Sequence, residues 1–188
     1  MYGLIHRSVR DMVLQNHGTG NWEKIRAIAE VGDEELLAMK SYDDSIILSL
    51  VSAASEILEI TSDQCLDEFG QFWILDTAAK QYSEMIDGFG PSIWALLKNL
   101  DHMHDHMHDH MTSTFHGYDP PSFFLKQTKH NTHLVHYRSS RQGLTPFVIG
   151  LLKGLAIHFN TPIDISIEQE TLSPEGQHTV FRIRERKI

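Results

Sequence analysis

Cysteine is nearly missing from this chain, with Cys65 its single example in 188 residues. One thiol excludes an intrachain disulfide and a cysteine zinc site, and it suits a reducing cytoplasm, with plain burial as the expected role. Positive charge is also scarce. The 16 Lys and Arg stand against 25 Asp and Glu, a formal net charge of -9, which speaks against nucleic acid and anionic membrane surfaces as partners because both need a basic face. Long uncharged apolar runs are absent too. The N-terminal MYGLIHRSVRDMVLQ sets its charges on an amphipathic pattern and reads neither as a signal peptide nor as a spanning helix, so the expectation is a cytoplasmic protein without membrane insertion. No effector domain is visible, and the output is expected to pass through a separate protein.

What the chain does have in excess is histidine. From Asp101 to Met111 it reads DHMHDHMHDHM, placing five of the 13 histidines within nine residues. Ile93, Trp94, Leu96, Leu97 and Leu100 lie upstream at helical spacing, so the whole stretch is predicted to be one long helix. At about 100° per residue, Leu96, Leu97, Leu100, Met103, His104, Met107, His108 and Met111 share one broad face. His102, His106, His110 and the three Asp lie towards the other. Three readings compete: a solvated Asp/His face with one imidazole satisfied in the core, a Ni or Zn site using His at i and i+4, and haem ligation by one imidazole framed by Leu and Met.

The remaining chain divides into two characters. Helices are predicted for residues 2–16, 22–28, 46–58 (with cap chemistry in residues 41–45) and 64–79 (capped by residues 61–63), followed by a loop around Gly88, Gly90 and Pro91. After Pro120 and Pro121 the β-branched and aromatic content predicts strands at 123–129 and 132–137 with a turn at His130 and Asn131. A buried helix at 146–159 and two more strands at 162–168 and 179–184 complete the order. This predicts an α+β protein: an N-terminal helical lobe, then a β-β-α-β-β lobe with a four-stranded antiparallel sheet. With 41% hydrophobic residues the chain suits a single domain with a sizeable core, residues 1–188.

One further segment carries chemistry. Tyr137, Ser139 and Arg141 are spaced i, i+2, i+4, so on an extended backbone they point the same way, and two hydroxyls with one guanidinium can converge on a carboxylate. The bland reading is a polar strand edge. Beside a haem-bearing helix it becomes a clamp for propionates.

At this point the sequence resembles the H-NOX (haem nitric oxide/oxygen binding) family, whose domains also form the sensory part of soluble guanylate cyclase. The resemblance rests on Tyr137-x-Ser139-x-Arg141, with MYGL at 1–4, Tyr42 to Ser45, Phe69-Gly70, Asn99-Leu100-Asp101, Pro121-Ser122-Phe123 and Gly143-Leu144, and covers essentially the whole chain. It implies haem b (iron protoporphyrin IX) between a helical lobe of about residues 1–60 and a haem-enclosing lobe of about 61–188. One histidine would hold the iron, the Tyr/Ser/Arg motif the propionates, and Pro121 would press on the porphyrin from the proximal side. The doubled His-Met-His-Asp tetrad makes the ligand ambiguous, since counting from Asn99-Leu100-Asp101 gives His104 and counting back from Pro120-Pro121 gives His108. His104 is favoured, because Leu100, Leu97 and Leu96 precede it by one and two turns, whereas His108 would set His104 and Asp101 against the macrocycle.

The resemblance also places Phe147, Trp73, Val9, Leu4 and Ile5 around the distal side. Oxygen-binding members carry a tyrosine where this chain has Phe147, so the expectation is a five-coordinate ferrous haem that binds nitric oxide and CO and excludes O2. Nitric oxide would loosen the iron–histidine bond, release the histidine-bearing helix and shift one lobe against the other. The implied partner is a bacterial histidine kinase or cyclic-di-GMP enzyme. The alternatives are an O2-binding haem sensor, a His-rich Ni/Zn-binding protein, or a haem enzyme, the last disfavoured by a distal side without His or Arg.

Overall fold

The computed structural model describes residues 1–32, 36–38, 40–111, 120–128 and 132–186, and the side chains of all of these except Met85 and residues 103–111. Helix α1 (Gly3–His17) and α2 (Thr19–Ala29) are separated by Gly18, whose φ of 81° no side chain readily tolerates. The third helix, α3 (Asp44–Leu58), is capped by Asp43, whose carboxylate accepts from Ser45 N at 2.8 Å. A capping box of Thr61 and Gln64 opens α4 (Ser62–Phe72). That helix then runs through a π-helical stretch, Trp73–Ala78, into the last turn α5 (Ala79–Gln81). After α6 (Ser83–Gly88) and α7 (Ile93–Met111) come β1 (Ser122–Gln127), β2 (Thr132–Ser139), α8 (Thr145–His158), β3 (Ile163–Ser173) and β4 (Gly176–Glu185). The strands form one antiparallel sheet in the order β1-β2-β4-β3, so the α+β architecture expected from the sequence is the one observed.

The departures have physical reasons. Helix α6 precedes the loop expected around Gly88, Gly90 and Pro91 and is an element the sequence pattern did not show; it winds because Ile86 docks in the core, 5% exposed, and its N–H bonds Tyr82 O at 2.9 Å. Six residues are too short a run to show periodicity. The β3–β4 hairpin is longer than expected on both arms, since residues 168–172 are exposed and carry no apolar pattern, and they are held by the backbone ladder together with the bonds of Arg182 to Glu168 and of Gln177 and Thr179 to Glu170, with a bulge between Ile167 and Gln169. Lys129 and the expected turn at His130 and Asn131 lie outside the described residues.

Two apolar cores result. The first gathers α1, α2, α3 and α4, with Val13, Ile25, Leu50 and Ala54 all at 0% exposure. The second sets Ile93, Leu96, Leu97 and Leu100 of α7 and Val148, Leu152 and Leu155 of α8 against the inner sheet face of Phe123, Val135, Tyr137, Phe181 and Ile183. Each large side chain buried this completely contributes about 1.5–3 kcal/mol. Cys65, Leu66, Phe69 and Phe72 belong to the first core and Ile74 and Ala78 to the second. The division between the cores therefore falls where α4 passes into the π-helical stretch.

The helices α4 and α8 meet without side chains between them. A Cβ on Gly70 would stand 2.3 Å from Phe147 O, and one on Gly150 would stand 2.1 Å from Asp67 O. Only glycine allows the backbones this close, and the closeness brings Phe69, next to Gly70, beside Phe147, three residues before Gly150.

Candidate functional site

Strand β2 carries the polar half of the site. Tyr137 lies on the inner face, 2% exposed, across from Phe123 with ring centroids 5.3 Å apart. Burial pushes its phenol up from the ordinary tyrosine value, opposed by a hydrogen bond with Ser139 and the charge of Arg141. Ser139 is the last residue of the strand, and the chain bends after it. Simple alternation along an extended segment is thus not what gathers the three side chains. Instead Ser139 Oγ accepts from Arg141 N at 3.1 Å, and the guanidinium is brought back by the turn.

Arg141 then reaches out of its own lobe. Its Nε donates to Asp44 Oδ2 at 2.8 Å, and Asp44 Oδ1 accepts from the N-terminal ammonium of Met1 at 2.7 Å, which also donates to Tyr42 O at 2.5 Å. Burial alone would raise the Asp44 carboxyl, but the ammonium hydrogen bond and the charge of Arg141 outweigh it and hold the group below the usual carboxylate range. Sequence reasoning treated Asp44 as part of a helix cap. Asp43 does the capping, and that leaves its neighbour free for this role.

Helix α7 is joined to the sheet by a residue expected on its solvent side. Asp101 accepts from Phe123 N and, at 3.0 Å, from Ser122 Oγ. The tie falls directly after Pro121, which is half-buried. Leu100 is 9% exposed and packs in the same core as Tyr137. The backbone of α7 carries Met103, His104 and His108, but their side chains fall outside the described residues. Among the described residues no group of three or more His, Cys, Asp or Glu stands ready to hold a metal ion.

The apolar half of the site lies at the α4–α8 crossing. Phe69 stacks on Phe147 with centroids 5.0 Å apart and meets Trp73 edge-on at 6.3 Å. Trp73 opens the π-helical stretch and packs against both cores, a position that suits the frequent use of such stretches at functional sites. Val9 is 1% exposed in the first core, and Ile5 and Phe147 pack half-buried against it. Leu4 is half-buried on α1 and belongs to neither core. Phe69, whose neighbour Gly70 had been noticed only as part of a motif, is the residue that joins Trp73 to Phe147. Ser8 and Thr77 hydrogen-bond in the buried contact between α1 and the π-helical stretch.

Two hydroxyls and a guanidinium that already grips one carboxylate, together with a half-exposed aromatic wall, suit a flat apolar ligand with an acidic edge. A family model described as haem-NO-binding matches residues 2–167. The chain belongs to the haem-NO-binding, or H-NOX, family. It is 29% identical to the soluble guanylate cyclase gcy-32 of Caenorhabditis elegans over 100% of this chain and 28% of that protein. With gcy-35 of the same organism it shares 30% over 97% of this chain and 27% of the relative. This H-NOX chain therefore spans little more than a quarter of the length of the cyclases it matches. In fold it is similar to an H-NOX protein from S. oneidensis in the Fe(II)NO ligation state, with a TM-score of 0.83, 24% identity and 100% of both chains covered. It is also similar to an oxygen-binding H-NOX domain related to soluble guanylate cyclases, at a TM-score of 0.80, 18% identity, and coverage of 100% of this chain and 96% of that one. H-NOX domains are haem-binding gas sensors, sensory rather than catalytic, that signal to effector partners.

Among the described residues no single helix is long and apolar enough to cross a membrane, although Asp44–Leu58 and Ser62–Gln81, bent by 108°, pass by length and composition as a pair. Both helices of that pair contribute residues to the first core.

Proposed function

We propose that this chain is a haem-based sensor that binds nitric oxide and CO at a five-coordinate ferrous haem b, excludes O2, and signals through a separate protein. The observation that carries it is Arg141: in a chain of the haem-NO-binding family, a guanidinium backed by Ser139 and Tyr137 already holds a carboxylate at 2.8 Å. Haem b, when bound, would supply ferrous iron able to bind a diatomic gas. Tyr137, Ser139 and Arg141 hold its two propionates, the guanidinium being shared with Asp44. His104 is the iron ligand in preference to His108. Leu96, Leu97 and Leu100, one and two turns before His104, are buried, whereas the equivalent offsets from His108 include Asp101, already engaged with β1. Pro121 bears on the same side.

Phe147, Val9, Ile5 and Leu4 keep water from the opposite side and offer a bound gas no hydrogen bond. The indole of Trp73 is the one donor among them. Displacement of α7 passes to β1 through Asp101 and to α3 through Arg141 and Asp44. We read residues 1–188 as one domain, a helical lobe of about 1–60 on a haem-enclosing lobe of about 61–188, with α4 and its π-helical continuation between them serving both cores. The partner class that suits such a sensor is a bacterial histidine kinase or cyclic-di-GMP enzyme. Cys65, buried and with its thiol pushed up to about 11 by burial and then by Glu68, is inert and in keeping with a reducing cytoplasm.

The test is spectroscopic. Protein purified without a metal-affinity step is loaded with haemin, reduced, and exposed in turn to nitric oxide, CO and air. One haem per chain and a Soret shift with nitric oxide and CO, but none with O2, are expected; no shift with nitric oxide would overturn the reading. His104→Gly is expected to lose iron coordination and regain it with free imidazole, while His108→Gly leaves the ferrous spectrum nearly unchanged. The reverse pattern assigns the ligand to His108, and a stable complex in air makes this an O2 sensor with Trp73 as donor.

A further inference from the structure

The outer face of the sheet, away from the candidate haem site, carries a pair of histidines on neighbouring strands. The register pairs His136 with Val180 and Arg138 with His178, so His136 of β2 and His178 of β4 are diagonal neighbours on one face. The Tyr137 and Thr179 that follow them point the other way, into the core. His136 Nδ1 and His178 Nε2 are 3.2 Å apart, with the rings inclined by 23° and their centroids 5.4 Å apart. Both side chains are half-buried, held in place yet open to solvent.

We propose that His136 and His178 form a binding site for a divalent transition-metal ion, with zinc the best match. Two nitrogens at this separation, each about 2.0–2.1 Å from a shared ion, subtend about 100–105° at it, near the tetrahedral angle that zinc adopts. The nitrogens are therefore at a chelating separation before any ion arrives, and the rings, which now face each other, have to turn a little to aim at a shared ion. In the metal-free arrangement one ring donates its N–H to the other. Coordination moves that proton to the donor ring's far nitrogen, so both facing nitrogens become acceptors without a net release of protons.

Burial, then the charges of His178, Arg138 and Lys126, hold the His136 imidazole below its ordinary value, which keeps it in the neutral, ligating form. The same cations repel an arriving ion. With no third protein ligand among the described residues, water completes the shell and the site is an exchanging one. Phe124, 61% exposed with its ring 5.9 Å from that of His136, walls one side. A bound ion would cross-link β2 to β4 directly behind Tyr137, one residue from the clamp.

The histidines of α7 supply a background that the experiment has to subtract. Zinc(II) is titrated calorimetrically into the full chain and into His136→Ala and His178→Ala, and the imidazole nitrogens of the unaltered protein are followed by NMR during the same titration. Each variant is expected to take up one zinc fewer per chain than the parent. In the parent, the His136 and His178 resonances should move together over one shared binding curve. Equal stoichiometry in all three proteins, a loss in one variant only, or His136 and His178 resonances that stay put would each overturn the proposal. The NMR arm keeps that judgement open even if a variant folds poorly.

Discussion

Two of the places where the cores join are of opposite character. At the α4–α8 crossing, Gly70 and Gly150 put backbone against backbone, with less room than a single methyl group needs, and Phe69 of the first core lies flat on Phe147. At the other joint, three charged groups, the Met1 ammonium, Asp44 and Arg141, meet with the last two side chains 41% and 23% exposed. The crossing has no slack, because any added atom must displace main chain. The charged joint can exchange partners, because a guanidinium that binds one carboxylate can bind another and water is present to solvate what is released. A change at the site is thus expected to turn the lobes about the glycine crossing and to open or close them at Arg141.

The crossing is the place for the largest effect. Gly150→Ala puts a Cβ where Asp67 O stands 2.1 Å away, and it should destabilise the protein by about 1–3 kcal/mol as the helices are forced apart. Urea unfolding measures this, and a loss under about 0.5 kcal/mol would mean that the helices slide freely and that the crossing is no pivot. A smaller effect is expected from Phe147→Tyr, which adds one hydroxyl to the aromatic wall. If that wall faces the gas, the new donor should raise oxygen affinity about tenfold, or ~1.4 kcal/mol, the worth of one buried hydrogen bond. Oxygen titration of the reduced haem protein reads it directly, and no gain of oxygen affinity would remove Phe147 from the gas-facing surface.

These joints were unequally legible in the sequence. The order of helices and strands followed from apolar period and turn residues, and the Thr61 capping box was visible because cap chemistry is local. Tyr137, Ser139 and Arg141 stood out by their spacing. Yet Arg141 reaches its place through a bend after Ser139, and its partner Asp44 lies 97 residues away in sequence, beyond what any local pattern encodes. Asp101 looked like a solvated helix residue because its period sets it opposite the leucines, and only the return of β1 beside α7 gives it Phe123 N to bind. The π-helical stretch at Trp73 leaves no mark either. It shifts which side chains are buried within a run whose composition still reads as an ordinary helix.

The charged joint carries the two smallest effects. In a double-mutant cycle of Arg141→Gln and Asp44→Asn, each partner and then both are removed in haem-free protein. The coupling expected is about 0.2–1 kcal/mol, since both side chains touch water and are screened. A coupling of zero would make the contact incidental. Its pH dependence is smaller still, and its sign is fixed: the folded protein holds the Asp44 carboxyl below its ordinary value of 3.8. The stabilisation is therefore complete above that value and disappears as the pH falls through the lower, folded-state one. Comparing the parent with Asp44→Asn cancels the titration of every other carboxylate. The stability gap between them should hold steady from pH 7 to pH 5 and narrow towards pH 3. A gap that stays constant to pH 3 would show that Arg141 and Met1 do not act on Asp44 through its charge, and the second joint would then be a packing contact like the first.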